Sequence, residues 1–321
     1  MNESSTHSAA FVRRFFAFLE REEYAAAALH GWQGGFEGEL SDVDFVIEPR
    51  GFNRITELVH AHCRAEGWML CQVLRHETTA AYCVCASIDD PQQAVALDAC
   101  SDYRRNECIL IPAMELLSKR VPLVSGGFRI SDTIGLRYRF AKAAVKSKNP
   151  QASAIEFDTY PSELRASCAA WLAEHWKIEL PTWDAAGLDT VMKQLRGRSK
   201  SRPPFQNLKS MLRIVGRVFQ PTGMLLVIGT HADAKLVAGI QKRFGRLEFR
   251  RTATLSRWTP KLPWHLIRST LVVMPHLSPL VARLVPQNCV FNLDPSWDLN
   301  TAIRMLSQSL HARCRHEYQL G

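Results

Sequence analysis

No apolar run in this chain of 321 residues approaches the length of a bilayer span, which takes about 20 residues. The longest runs, 224–228 and 271–274, have the length of buried strands. The first residues, Met1-Asn2-Glu3-Ser4-Ser5, carry an early acid and no basic stretch, unlike a secretory leader. No Cys-x-x-Cys occurs and the nine cysteines are odd in number, so a fully paired disulfide scaffold is excluded. Cys71, Cys83, Cys85 and Cys289 sit inside apolar segments. They read as reduced, buried thiols of a cytoplasmic protein. Cys83 and Cys85 have strand spacing, but no second pair with ligand spacing accompanies them, which weighs against a metal there. Internal repeats are also lacking.

Acids are scarce in one long stretch. Residues 190–293 hold 18 Lys and Arg against only Asp233 and Glu248, a balance of +16. Residues 1–189 balance at −7 and the rest are neutral, giving +9 for the chain. An acidic front and a basic back imply separate modules. The basic half either meets a polyphosphate, nucleic acid or anionic lipid, or docks on the acidic half. Hydrophobic content of 46% and charged content of 22% are ordinary for a globular protein. The length implies two or three domains.

Hydrophobic periodicity predicts a helix over 8–29, with Phe11, Phe15, Phe16, Phe18 and Leu19 as its apolar stripe and 25–28 as its continuation. Four glycines then make 30–40 a turn-rich loop. Strands are expected at 41–47, 68–76, 80–88 and 94–100, with a helix over 53–67. Helices follow at 111–120, 131–148, 162–176 and 180–191. The basic run Arg196-Gly197-Arg198-Ser199-Lys200-Ser201-Arg202-Pro203-Pro204 reads as a linker. Beyond it come strand, loop and helix over 224–244, strands near 268–274 and 289–293, and a helix over 299–314. The fold class is therefore mixed α/β, in four parts: 1–120, a helical region 121–195, a basic linker 196–219 and a small α/β module 220–321.

The chemistry concentrates in Ser41-Asp42-Val43-Asp44-Phe45-Val46-Ile47. On a strand, residues two apart share a face, so Asp42 and Asp44 project together. Two neighbouring carboxylates repel and are costly to bury, a cost that a divalent cation removes. Asp98, a single acid in the apolar run Val95-Ala96-Leu97-Asp98-Ala99-Cys100, offers a third carboxylate from a neighbouring strand. Two metals about 4 Å apart on such carboxylates suit in-line nucleotidyl transfer. Asp102, in Ser101-Asp102-Tyr103-Arg104-Arg105, competes for the role of third acid. Arg75-His76-Glu77 ends a strand and reads first as a hairpin cap, second as a substrate contact.

Leu29-Gly31, the spacer after Trp32, Asp42-Val43-Asp44 and Leu97-Asp98 together resemble the nucleotidyltransferase superfamily, the DNA polymerase beta-like fold. Trp32 stands where that pattern usually has Gly or Ser, and His30 intervenes between Leu29 and Gly31. The resemblance implies Asp42, Asp44 and Asp98 as catalytic, metal-binding residues for Mg²⁺ or Mn²⁺. It implies a nucleoside triphosphate such as ATP held near Gly31, Trp32 and Ser41. A helix after the domain often holds triphosphate or base in this superfamily, which points to Arg137, Lys142 and Lys146.

The segment 224–236 has the outline of a phosphate-binding strand, loop and helix. Gly229 and Lys235 fit the P-loop pattern, while Ala234 replaces its second glycine and Leu236 its hydroxyl. With the later Val290-Phe291-Asn292-Leu293-Asp294, it resembles a shortened thymidylate kinase-like module without catalysis. Val73-Leu74-Arg75-His76-Glu77 and 97–105 resemble bacterial proteins that pair these two domains, some encoded near surface-polysaccharide genes. The resemblance implies transfer of a nucleoside monophosphate to an acceptor hydroxyl that the sequence does not name. The competing reading is a non-catalytic nucleotide-binding or scaffold protein. A nucleic-acid binder is a third, less favoured reading, carried only by the basic back half.

Overall fold

The computed structural model describes residues 3–29, 42–105, 107–124, 126–146, 148–200, 208, 212, 215–216, 221–229, 233–257 and 259–320. The glycine-rich segment with Gly31, Trp32 and Ser41 lies outside these residues, as do residues 230–232. The fold is mixed α/β, as the periodicities require. Its first half runs α1 (Glu3–Arg21), β1 (Ala26–Ala28), β2 (Asp42–Ile47), α2 (Pro49–Asn53), α3 (Ile55–Ala65), β3 (Trp68–Glu77), β4 (Ala80–Ser87) and β5 (Ala94–Cys100). A hairpin, β6 (Tyr103–Arg105) and β7 (Cys108–Ile111), leads to α4 (Ala113–Leu117), β8 (Arg120–Pro122) and β9 (Phe128–Ile130). Four helices follow: α5 (Asp132–Val145), α6 (Pro150–Asp158), α7 (Ser162–Trp176) and α8 (Ala185–Lys200). The last part is β10 (Met224–Val227), α9 (Ala234–Phe244), β11 (Arg251–Thr254), α10 (Leu262–Ile267), β12 (Thr270–Met274), α11 (Pro279–Leu284), β13 (Val290–Asn292) and α12 (Leu299–Tyr318).

Seven strands form one mixed sheet in the order β3-β4-β5-β2-β1-β9-β8. β5 and β2 run parallel at its centre. One face carries Val43, Phe45, Ile47, Leu97 and Ala99 into a core closed by α1 and α3. Phe15 and Phe16 of α1 sit edge-on to Phe45, with centroids 5.7 and 5.5 Å away. The other face is divided. Ala27, Leu29 and Val46 pack under α5 and the helical region, whereas Met69, Cys71 and Ala86 join the core of the C-terminal module. That module is a parallel sheet, β11-β12-β10-β13, whose final helix α12 lies against β3. Cys71 and Ser307 meet there.

Several expected elements are corrected. Residues 25–28 do not continue the first helix. Glu23, at φ 59°, ends it, and Ala26–Ala28 becomes a buried central strand between β2 and β9. Alanine's helix preference loses there to its small size, which suits a crowded sheet centre. The helix expected over 111–120 shrinks to α4, because β7 occupies 108–111 and Pro112 precedes the turn. The helix expected over 180–191 starts only at Ala185 and continues to Lys200. The start of the expected linker is therefore helical, and Arg196 Nε donates to the Ala144 carbonyl at 2.9 Å. β8 and β9 belong to the seven-stranded sheet, so that sheet extends past residue 120 to Ile130. All nine cysteines are free thiols and all but Cys108 are buried. Burial holds the Cys83 and Cys85 thiols high, hence neutral.

Candidate functional site

β2 places its acids as its alternation dictates. Val43, Phe45 and Ile47 are wholly buried beneath α1 and α3. Asp42 and Asp44 therefore point to the opposite face with Val46. The parallel register puts Asp44 opposite Asp98 and Asp42 opposite Ala96. On the far side of β5, Tyr82 is paired with Asp98. The two carboxyls are close enough to hydrogen-bond, and Asp98 is held well above the usual carboxylate range. Burial is the main cause, followed by the charge of Asp44, the Asp44–Asp98 hydrogen bond and the charge of Asp42, with Lys142 pulling the other way. Asp42 is the outermost of the three and exposed.

A cavity of about 400 Å³ opens over Asp44 and Asp98, and Asp42 is not among its lining residues. Asp44, Asp98 and Tyr82 form its floor. Among the described residues its walls carry six cations in three pairs: Arg104 and Arg105 from β6, Lys142 from α5 with Lys146 just past its end, and Arg246 and Arg250 from the turn after α9. Lys142 Nζ lies 2.7 Å from Asp44 Oδ2. Lys146 has its ammonium pKa lowered, first by burial and then by Lys142. His76 Nε2 stands 3.7 Å from Asp98 Oδ1. Tyr138 lies against the cavity from α5, and its hydroxyl is held high by burial and by Asp44. The basic half of the chain thus contributes part of the wall around carboxylates from the acidic half.

Not every residue singled out from the sequence arrives here. Arg137 points away, donating to Glu115 Oε1 at 2.8 Å and Ser167 Oγ at 3.3 Å. Its i, i+5 spacing from Lys142 puts the two on different sides of α5. Asp102 lines the cavity but accepts from Thr79 Oγ1 at 2.6 Å and from Arg104 Nη2 and Nε, at 2.5 and 2.6 Å. In the C-terminal module Gly229 follows β10 at φ 70°, a conformation that favours glycine. Lys235 is exposed, and its amide donates to Asp233 Oδ1 at 2.8 Å. Asp233 caps α9, so a fixed anion takes an amide that a phosphate would need. Both residues lie outside the cavity.

Several contributors were missed or set second, among them Tyr82, Tyr138, Arg104 and Arg105. His76 and Glu77 line the cavity where a hairpin cap was the first expectation; for His76, its spacing of two from Leu74 was the available signal. Arg246 and Arg250 carry no local motif. Only the concentration of basic residues hinted at them.

The donor set suits a hard cation. Mg²⁺ commonly takes one or two carboxylates and completes its shell with water and substrate phosphate. Asp44 and Asp98 fit that role, and the carboxyl crowding at Asp98 is what such an ion relieves. Among the described residues, no group of three or more His, Cys, Asp or Glu side chains is arranged to hold a metal by itself. No helix among them is long and apolar enough to cross a membrane. Comparison with protein-family models, curated proteins and solved structures finds no match.

Proposed function

We propose that the cavity binds a nucleoside triphosphate and transfers its nucleoside monophosphate to an acceptor hydroxyl. The observation that carries this reading is the facing of Asp44 and Asp98 in register across two parallel strands, at the floor of a cavity with cationic walls. Carboxylates without such walls would repel a polyphosphate. Cations without the carboxylates would bind it but leave the attacking hydroxyl unactivated.

Lys142 and Lys146 hold and neutralise the departing pyrophosphate. Asp98 accepts the proton of the attacking hydroxyl. Asp42 and Asp44 add negative potential that keeps the proton there. Tyr82 and Tyr138 keep water off the carboxylates with their ring bodies. Asp44 and Asp98 would hold Mg²⁺ or Mn²⁺ with Asp42 beside them, and the ion when bound would offset phosphate charge. Catalysis is then positioning plus electrostatics.

Isothermal titration with ATP, GTP, CTP and UTP, each with Mg²⁺ or Mn²⁺, tests the reading on the wild type and on Asp42→Ala/Asp44→Ala. Metal-dependent binding of one nucleotide that the double variant loses is the expected result. Absence of binding by all four to the folded protein overturns it. Binding that persists in the double variant favours the non-catalytic alternative.

A further inference from the structure

The turn 245–250 is fixed with unusual thoroughness for a surface segment. Leu247 packs on Val84 and Ala96, with Tyr82 and Ala94 alongside, over β4 and β5. Glu248 is wholly buried and receives two bonds from Arg243, at 2.8 and 2.9 Å. Arg243 also donates twice to the Pro91 carbonyl, at 2.7 and 2.9 Å. Phe249 is buried in the core of the C-terminal module. A buried ion pair adds little net stability, but it fixes geometry. What this turn presents to solvent is Arg246 and Arg250, one on each side of the buried triplet, both lining the cavity.

The two walls stand on opposite sides of the carboxylates. Lys142 bonds to Asp44 on β2, and α5 covers the β1–β2 side of the sheet. Leu247 is seated on β4 and β5, where Tyr82 pairs with Asp98. The order β4-β5-β2 therefore places the turn on the Asp98 side. In-line displacement puts attacking and leaving oxygens on opposite sides of phosphorus. With pyrophosphate leaving beside Lys142 and Lys146, the attacking hydroxyl comes from beneath Arg246 and Arg250. Two guanidiniums at that place match a phosphate, which their planar forks bind bidentately.

Resting on the nucleotidyl-transfer reading, we propose that the acceptor is a phosphorylated alcohol, a phosphate monoester with a free hydroxyl, whose phosphate is held by Arg246 and Arg250. The hydroxyl oxygen bonds to the α-phosphorus of the triphosphate and its proton passes to Asp98. The bond from the α-phosphorus to the bridging oxygen breaks, and pyrophosphate leaves with that electron pair.

The test uses the full chain and two probes. Isothermal titration first identifies the Mg²⁺-nucleotide that binds; inorganic phosphate is then titrated into the protein saturated with that nucleotide. The same pair of titrations is run on Arg246→Gln/Arg250→Gln, with Arg251→Gln, an exposed residue outside the cavity, as the control. Phosphate affinity is expected to fall about tenfold or more in the double variant, two charge-assisted contacts being lost. Nucleotide affinity and the thermal midpoint stay at wild-type values, and the control changes neither. Absence of phosphate binding to the wild type, or phosphate binding unchanged in the double variant, overturns the proposal. So does an equal loss of nucleotide affinity, which would assign the arginines to the donor triphosphate. If no nucleotide binds the wild type, transfer itself fails. Phosphate titrated into the free protein then separates that failure from the arginine site, which stands only if the double variant loses the binding.

Discussion

Asp98 sits where folding and chemistry oppose each other. Burial and two neighbouring aspartates hold its carboxyl well above the usual range. A carboxyl raised in the folded state contributes stability below its unfolded pKa and loses it as pH rises through the folded value. Asp98→Asn is therefore expected to raise the stability measured by urea at pH 7.5 by about 1 kcal/mol. The gain should shrink as pH is lowered, and nucleotidyl transfer should drop by roughly 10²–10⁴. The two basic residues of α5 should separate as cleanly. Lys142→Ala should weaken nucleotide binding about tenfold by titration. Arg137→Ala should leave that affinity unchanged and cost about 1–3 kcal/mol of stability, since Glu115 loses its partner. The aspartates were legible in the sequence because a strand's period of two decides their side without reference to the rest of the fold. Arg137 and Lys142 lie on one helix, yet only the packing of α4 and α7 against it decides which of them meets the cavity. His76 was legible as a strand end but not as a neighbour of Asp98, because the pairing of β4 with β5 sets that approach.

At the scale of elements, strongly patterned segments were readable and weakly patterned ones were not. The bounds of α7 and β5 follow from apolar spacing alone. Ala26–Ala28 offers no pattern, and its place in the sheet is decided by the strands on either side. β11 reads as polar, Arg251-Thr252-Ala253-Thr254, because it is an edge strand of the C-terminal sheet. The contact of α1 with α3 carries a pH dependence. His62 sits among Phe11, Phe15 and Phe18, with centroids 4.7, 5.3 and 5.6 Å away. Its Nε2 lies 3.1 Å from the Phe11 carbonyl, and burial lowers its pKa below the ordinary 6.5. A base depressed on folding contributes stability above its unfolded pKa and loses it as pH falls through the folded one. The urea midpoint is expected to decline from pH 7 to pH 5, and more shallowly in His62→Gln, which retains a donor for the carbonyl.

Across the whole molecule, two arginines, Arg313 buried and Arg243 partly buried, join the halves. Arg313 of α12 donates to Gln72 Oε1 at 2.6 Å and to the Gly223 carbonyl at 2.9 Å. Arg243 ties Glu248 and the Pro91 carbonyl together. Arg243→Ala leaves Glu248 charged and buried, or forces it to take a proton. The expected loss is about 3–5 kcal/mol in urea unfolding, with phosphate affinity falling as the turn 245–250 loosens. The charge imbalance offered docking of the basic half on the acidic half as one reading but not its residues, since Gln72 and Arg313 are ordinary polar residues until the chain brings them together. The seat of α12 on β3 also sets an order in time. While the first two hundred residues leave the ribosome, the undersides of Met69, Cys71 and Ala86 have no cover and the cavity has one wall missing. Only when Ile303, Leu306 and Leu310 have been made does that patch close. A nascent chain therefore emerges with an adhesive patch that waits on α12 for its cover.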